Sequence, residues 1–156
     1  MIILISFIVI IIDFITKLII SNNLVMNNSV EIIPNFFSLT YTHNYGGAWS
    51  IFNNNTLAIT IISFIVIMGI IYYLLKNKVT KKIEVIGYSL LLGGAIGNFI
   101  DRIVYGYVID FFAFYIFGYD FPIFNVADIG IVIGIILLLI SVGKDEFKHD
   151  NKRSRQ

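Results

Sequence analysis

Four runs of this chain, Ile2–Ile20, Leu57–Leu75, Ile83–Ile100 and Val126–Val142, are apolar almost throughout. A helix that crosses a bilayer needs about 20 mostly apolar residues. Four such runs within 156 residues leave little chain for anything else. Only 13% of the residues are charged, against about 25% in an ordinary soluble domain. A water-soluble globule is therefore nearly excluded, and the length leaves no room for a catalytic domain beside a membrane anchor. One domain over residues 1–143 and a basic tail over 144–156 is the expected organisation. Cysteine is absent, which removes disulfides, thiolate nucleophiles and Cys-ligated metals together. The first run does not read as a cleaved signal peptide, because it has neither a basic leading segment nor a small-x-small cleavage site.

Lysine and arginine set the expected direction of the spans. The link Lys76–Lys82 carries four lysines, and the tail carries Lys144, Lys148, Lys152, Arg153 and Arg155, which makes nine of the eleven basic residues. The link Ser21–Thr56 has none, and the link Asp101–Asn125 has only Arg102. Both termini are thus expected in the cytoplasm, with the two long links outside. The tail reads as a solvated orienting segment; contact with lipid headgroups is the alternative, and nucleic-acid binding is not expected.

This topology gathers the polar residues in one layer. Asp13 and Lys17 fall in the outer half of the first span, Asn98, Asp101 and Arg102 at the outer end of the third, and Asn125 and Asp128 at the outer end of the fourth. Asp110 follows in the outer link. Charges at membrane depth are costly and by default mark a function. Asp13 and Lys17 stand at i,i+4 and are expected to form an ion pair that orients the first span. Asp101 and Arg102 read as structural stitching, with Arg102 able to fork to a neighbouring carboxylate. The Gly93–Gly97 stretch, which includes Gly94, would let another helix approach closely. Asn125 is a good N-cap and Asp128 falls in the following first turn, a placement that by itself needs no chemistry. Asp110 lies among aliphatic and aromatic residues, which favours a raised pKa; its bland reading is a turn acid.

The outer links suggest a strand over Asn35–Thr42 and a turn over His43–Gly47. Tyr105–Phe124 is dense in tyrosine and phenylalanine, as in an interfacial belt; lining a groove for a lipid-bearing substrate is the sharper reading. Ser-His chemistry finds little support: His149 lies in the tail, His43 has Ser38 or Ser50 within conceivable reach, and no G-x-S-x-G turn is present. A Ser50–Lys17 dyad has no motif behind it either. A zinc site lacks ligands. Carboxylates remain, and two that share a site hold one proton between them. Such a pair can hydrolyse an amide without a covalent intermediate. A proton-coupled carrier would want polar residues through the whole membrane depth, which the apolar inner halves do not offer. A tetraspan scaffold would make the outer aspartates incidental.

Asn44-Tyr-Gly-Gly-Ala-Trp-Ser50, Gly97-Asn-Phe-Ile-Asp-Arg102 running on to Gly106-Tyr-Val-Ile-Asp-Phe111, and Phe124-Asn-Val-Ala-Asp128 resemble the motifs of bacterial lipoprotein signal peptidase, signal peptidase II, as does Asp13-x-x-x-Lys17. The ordered set covers Asp13 to about Gly134. Trp49 and Ile109 stand where other apolar residues would be expected. The resemblance implies a mainly α integral membrane protein with four transmembrane helices, a small extracytoplasmic β-sheet and a short mobile extracytoplasmic helix. The strand at Asn35–Thr42 would join that sheet, and the Tyr105–Phe124 aromatics would include the mobile cover. It further implies an aspartic endopeptidase of the bacterial cytoplasmic membrane. Its substrates would be diacylglyceryl-modified prolipoproteins, cut just before the lipidated cysteine. Asp110 and Asp128 would be catalytic. Asn44, Gly94, Asn98, Arg102 and Asn125 would bind or support, and Asp13, Lys17 and Asp101 would be architectural. No metal or other cofactor is expected; membrane lipids and cyclic-peptide inhibitors of the globomycin type are the other expected partners.

Overall fold

A computed structural model describes residues 1–46 and 55–153, with side chains through Asp145. In chain order the elements are α1 (Ile2–Asn23), β1 (Ser29–Ile33), β2 (Phe37–Asn44), α2 (Thr56–Lys76), α3 (Lys82–Tyr105), β3 (Val108–Ile116), β4 (Tyr119–Asp120) and α4 (Val126–Arg153). All four helices are long and apolar enough to cross a membrane, α4 through Asp145. Each expected span lies within one of them. Helix α4 continues past its apolar run, so the start of the basic tail is helical to Arg153.

Helix α3 is the centre of the bundle: α4 and α1 pack closely on it and α2 more lightly. Its sequence explains this. A Cβ at Gly94 would fall on the Ala127 carbonyl oxygen of α4, one at Gly93 would lie 2.8 Å from the Ser6 oxygen of α1, and one at Gly97 would lie 2.9 Å from the Asp13 carboxylate. Without hydrophobic drive between helices in lipid, backbone approach of this kind supplies the packing. The buried Ser6 hydroxyl adds a hydrogen bond to the Ser89 carbonyl at 2.9 Å. Gly94→Ala should therefore push α3 and α4 apart. We expect a loss of about 1–3 kcal/mol, the usual penalty for overpacking, read as a lowered unfolding temperature in detergent.

The strands form one sheet in the order β1-β2-β3-β4. Strands β1 and β2 are antiparallel, Val30 opposite Leu39. Strands β2 and β3 are antiparallel as well, Phe37 opposite Phe114 and Thr42 opposite Asp110, with an irregularity between Leu39 and Thr42. The sheet is seated on the helix ends by Ile20, Ile109 and Phe111, against which Leu24, Leu39 and Val126 pack. Phe111 is 2% exposed and Val108 1%, so the first half of β3 is fixed to the bundle. Gly106, with φ +79°, caps α3 in the left-handed region and turns the chain into β3.

Three expectations are corrected. The strand read at Asn35–Thr42 is β2, but it starts at Phe37 and ends at Asn44. Asn35 instead occupies a turn with φ +56°. His43 and Asn44 are strand residues, and the bend falls at Tyr45 and Gly46, with Gly47 outside the described residues. The stretch Tyr105–Phe124 is no short helix: apart from the last residue of α3, it is built mainly from β3 and β4, and β-branched and aromatic residues favour that state. The short helix implied by the resemblance is not among the described residues; Trp49, Ser50 and the rest of 47–54 lie outside them.

Candidate active site

The N-terminus of α4 organises the polar layer. The Asn125 side-chain oxygen accepts from the Asp128 N–H at 2.9 Å, and the Asp128 Oδ2 accepts from the Asn125 N–H at 3.2 Å. This reciprocal cap satisfies two of the otherwise unpaired N–H groups of a helix start. The same asparagine reaches out of the helix. Its Nδ2 donates to Asp110 Oδ1 at 2.6 Å, and also approaches Asn98 Oδ1 at 3.1 Å and the Ile109 carbonyl at 3.3 Å. One fully buried residue thus holds both carboxyl groups, Asp110 by its amide and Asp128 by its backbone.

Each carboxyl has one further amide partner. Asn98 Nδ2 donates to Asp128 Oδ1 at 2.7 Å. Asn44 Nδ2 donates to Asp110 Oδ2 at 2.8 Å. The Asn44 oxygen accepts from the Gly46 N–H at 2.9 Å, which fixes its orientation. Strand β3 supplies Asp110, the neighbouring strand β2 supplies Asn44, and helices α3 and α4 supply the rest. Asp110 is 2% exposed. Burial, reinforced by the negative charge of Asp128, raises its pKa from 3.8 to about 7; the amides of Asn44 and Asn125 oppose that rise.

A second layer lies behind the first. Lys17 Nζ meets Asp13 Oδ2 at 2.6 Å, Asp101 Oδ2 at 2.8 Å and Asn98 Oδ1 at 3.0 Å. Three acceptors match the three protons of an ammonium group. Asp13 Oδ1 accepts from the Ala127 N–H at 2.9 Å, and Asp101 Oδ2 from the Ile109 N–H at 3.3 Å. The expected Asp13–Lys17 pair is present, and it does more than orient α1. It clamps α1 to the first turn of α4, and through Asn98 it touches the residue that holds Asp128.

Arg102 stitches two segments together without forking to a carboxylate. No carboxylate lies within ion-pair distance of it among the described residues. It donates instead to the carbonyls of Asn98 and Gly46, each at 3.3 Å, and its buried Nε has no partner among the described residues. The chain turns at Gly46 so that a carbonyl, which no side-chain motif could have signalled, becomes its partner. Gly94, one turn from Asn98, sits where the α4 backbone at Ala127 leaves no room for a Cβ on α3.

Among the described residues the other candidate chemistries do not assemble. His43 Nε2 lies 2.9 Å from the Tyr41 hydroxyl and its ring stacks on Tyr107 with centroids 3.6 Å apart. Ser38 stands opposite Ala113 and Glu31 in the sheet. Lys17 is saturated, and Ser50 lies outside the described residues.

The layer can thus hold two carboxyls side by side, orient each by rigid amides and keep a proton between them. The family profile described as signal peptidase (SPase) II matches residues 5–144. The chain is 41% identical to the "Lipoprotein signal peptidase" of Staphylococcus aureus strain JH9 over 154 residues, 99% of this chain and 93% of that one. The counterpart in strain Newman gives the same figures. Two solved structures, both described as bacterial membrane enzymes studied by the in meso method, superpose with TM-scores of 0.86 and 0.82. They are 41% and 42% identical and cover 93% and 92% of this chain, and 88% and 93% of their own. This chain belongs to the signal peptidase II family of membrane proteases.

Proposed function

We propose that the chain removes the signal peptide from diacylglyceryl-modified prolipoproteins, cutting just before the lipidated cysteine, with Asp110 and Asp128 as the catalytic pair. The observation that carries the assignment is the shared hold of Asn125 on both carboxyls. The pair holds one proton near neutrality, because burial and the charge of Asp128 push Asp110 up to about 7. The two titrate as a unit.

In this reading water stands between the carboxyls. Ionised Asp128 takes a proton from it as its oxygen attacks the scissile carbonyl carbon. Asp110 donates a hydrogen bond to the carbonyl oxygen as negative charge develops there. A proton then passes to the leaving nitrogen as the carbon–nitrogen bond breaks, and the pair returns to its one-proton state. Asn44, Asn98 and Asn125 keep the carboxyls aligned; Arg102 braces the chain at Gly46. Such positioned acid–base pairs accelerate hydrolysis by about 10²–10⁴-fold per group. The lysine distribution supports cytoplasmic termini, with this layer at the outer face. There the scissile bond of a membrane-held signal peptide also lies, so the bilayer limits the freedom that must be lost on binding. The conclusive assay is cleavage of a diacylglyceryl prolipoprotein by the purified chain, compared with the unlipidated precursor, which should be left uncut.

The pKa of Asp110 gives a signed expectation. Its proton is present below about 7 and lost above it, so the cleavage rate should fall on the alkaline side of pH 7. The Asn44 amide stabilises the charged form. Asn44→Ala should therefore move the alkaline limb up by about 1–2 pH units, since a hydrogen bond to a charged group contributes about 1.5–3 kcal/mol. A pH–rate profile of both forms checks this.

A further inference from the structure

On the flank of α3 turned away from this layer lies a cavity of about 790 Å³. Helices α1 and α2 both pack on α3 rather than on each other, which leaves a groove between them. Phe7 and Ile10 form one wall, Leu74 the other, and Val85, Leu92 and Ile96 the floor; Val79 and Thr80 of the lysine-rich link close one end. These walls belong to membrane-spanning helices, so the groove opens toward lipid and is filled by an acyl chain or by another apolar segment.

Three features decide between those occupants. The first is length. From the start of α3 at Lys82 to Ile96 is about 21 Å at 1.5 Å per residue, while a full crossing of the hydrocarbon core takes about 30 Å. The groove therefore serves one leaflet and its headgroup level. The second is direction. At 100° per residue, Val85, Leu92 and Ile96 form one narrow stripe on α3, and Asn98 and Asp101 lie about 140–160° around the helix from it. A signal peptide seated here would be on the wrong side of α3 for the carboxyls. The third is charge. The closed end is flanked by Lys76, Lys78, Lys81 and Lys82. Lys81 is engaged by Asp145 and Glu84, and Lys76 lies over the Tyr72 ring, whereas Lys78 is exposed and directly precedes the groove residue Val79. Signal peptides carry a basic leading segment, which this end would repel; a phosphodiester anion is attracted to it.

We propose that this groove binds one anionic phospholipid from the leaflet on the lysine side. An acyl chain lies along α3 between Phe7 and Leu74, and the phosphate lies against Lys78. The lipid thereby fastens α2, the helix least held by protein contacts, with Ile67 its sole buried residue among those described.

The test uses the purified full chain in neutral detergent, titrated with phosphatidylglycerol or with phosphatidylcholine of identical acyl chains. Bound lipid is counted by native mass spectrometry, and thermal unfolding is followed in parallel. One tightly held phosphatidylglycerol and a higher unfolding temperature are expected, with phosphatidylcholine weaker. Lys78→Gln, an exposed change that leaves the fold intact, should weaken phosphatidylglycerol binding about five-fold, the effect of one lysine near an anionic headgroup, and leave phosphatidylcholine unaffected. Leu74→Trp, which fills the groove, should remove the bound lipid and leave the KM for prolipoprotein unchanged. Equal binding of both lipids, or undiminished phosphatidylglycerol binding in both variants, overturns the proposal. A raised KM in Leu74→Trp with lipid binding intact would hand the groove to the signal peptide instead. None of these readouts depends on which aspartates cleave.

Discussion

Asp128→Asn should lower the rate of prolipoprotein cleavage by at least about 10³-fold while leaving the bundle folded, and Asp110→Asn should do the same. The magnitude follows from the role. In the proposed mechanism each change removes a proton donor or acceptor that acts in the transition state, which alone costs about 10²–10⁴-fold, and also destroys the one-proton state of its partner. The fold should survive because asparagine keeps the shape of aspartate and can still accept from Asn98 or Asn44 through its oxygen. Rates with a diacylglyceryl prolipoprotein, read beside an unfolding curve for each variant, make the check. Full activity in either variant would remove that residue from the mechanism. Because groups that act as a unit are not additive, the double variant should be scarcely slower than either single one. Cleavage should persist under strong chelation.

The second large effect concerns Lys17, which touches no reacting atom in this reading. Lys17→Met should lower stability by about 3–5 kcal/mol, the usual result of removing one partner from a buried ion cluster. For a chain of this length that is roughly 10 °C in Tm. Lys17 is 2% exposed and is the common partner of Asp13 and Asp101. Its loss leaves two buried carboxylates facing each other across the space it filled. Adding Asp13→Asn to Lys17→Met should recover part of the loss, since one of the two uncompensated charges is then gone. A drop of less than about 1 kcal/mol in the single variant would mean that water or a proton already compensates the cluster. Activity should fall with stability here, because Lys17 also fixes the Asn98 oxygen, and that amide holds Asp128.

How much of this was legible beforehand depends on the range of the interactions. The reciprocal cap of Asn125 and Asp128 is a local, three-residue pattern, and it was readable as such. The Asp13–Lys17 pair is likewise local, at one helical turn. The glycines of α3 announced a close approach without naming the partner; the structure assigns Ser6 of α1 to Gly93 and Ala127 of α4 to Gly94. Asp101 is different. Its pairing with Lys17 joins α3 to α1 over 84 positions of chain, and nothing in either segment specifies it. Arg102 read as structural stitching able to fork to a carboxylate, and it stitches through carbonyls instead, because the bend at Gly46 brings backbone to it. The aromatic run after α3 carried two readings, interfacial belt and groove lining, and became the site's own strand once it could pair with β2.

The chain's own order of residues determined four apolar spans, the layer where polar groups gather and the carboxylates available for chemistry, because hydrophobic length and helical spacing act over neighbouring residues. Only the tertiary structure decided that a single asparagine grips both acids. It also decided that β2 delivers Asn44 to Asp110 across a strand pair, and that one lysine serves two helices. Those contacts join segments tens of residues apart, and their partners are chosen by how the helices and the sheet pack in three dimensions.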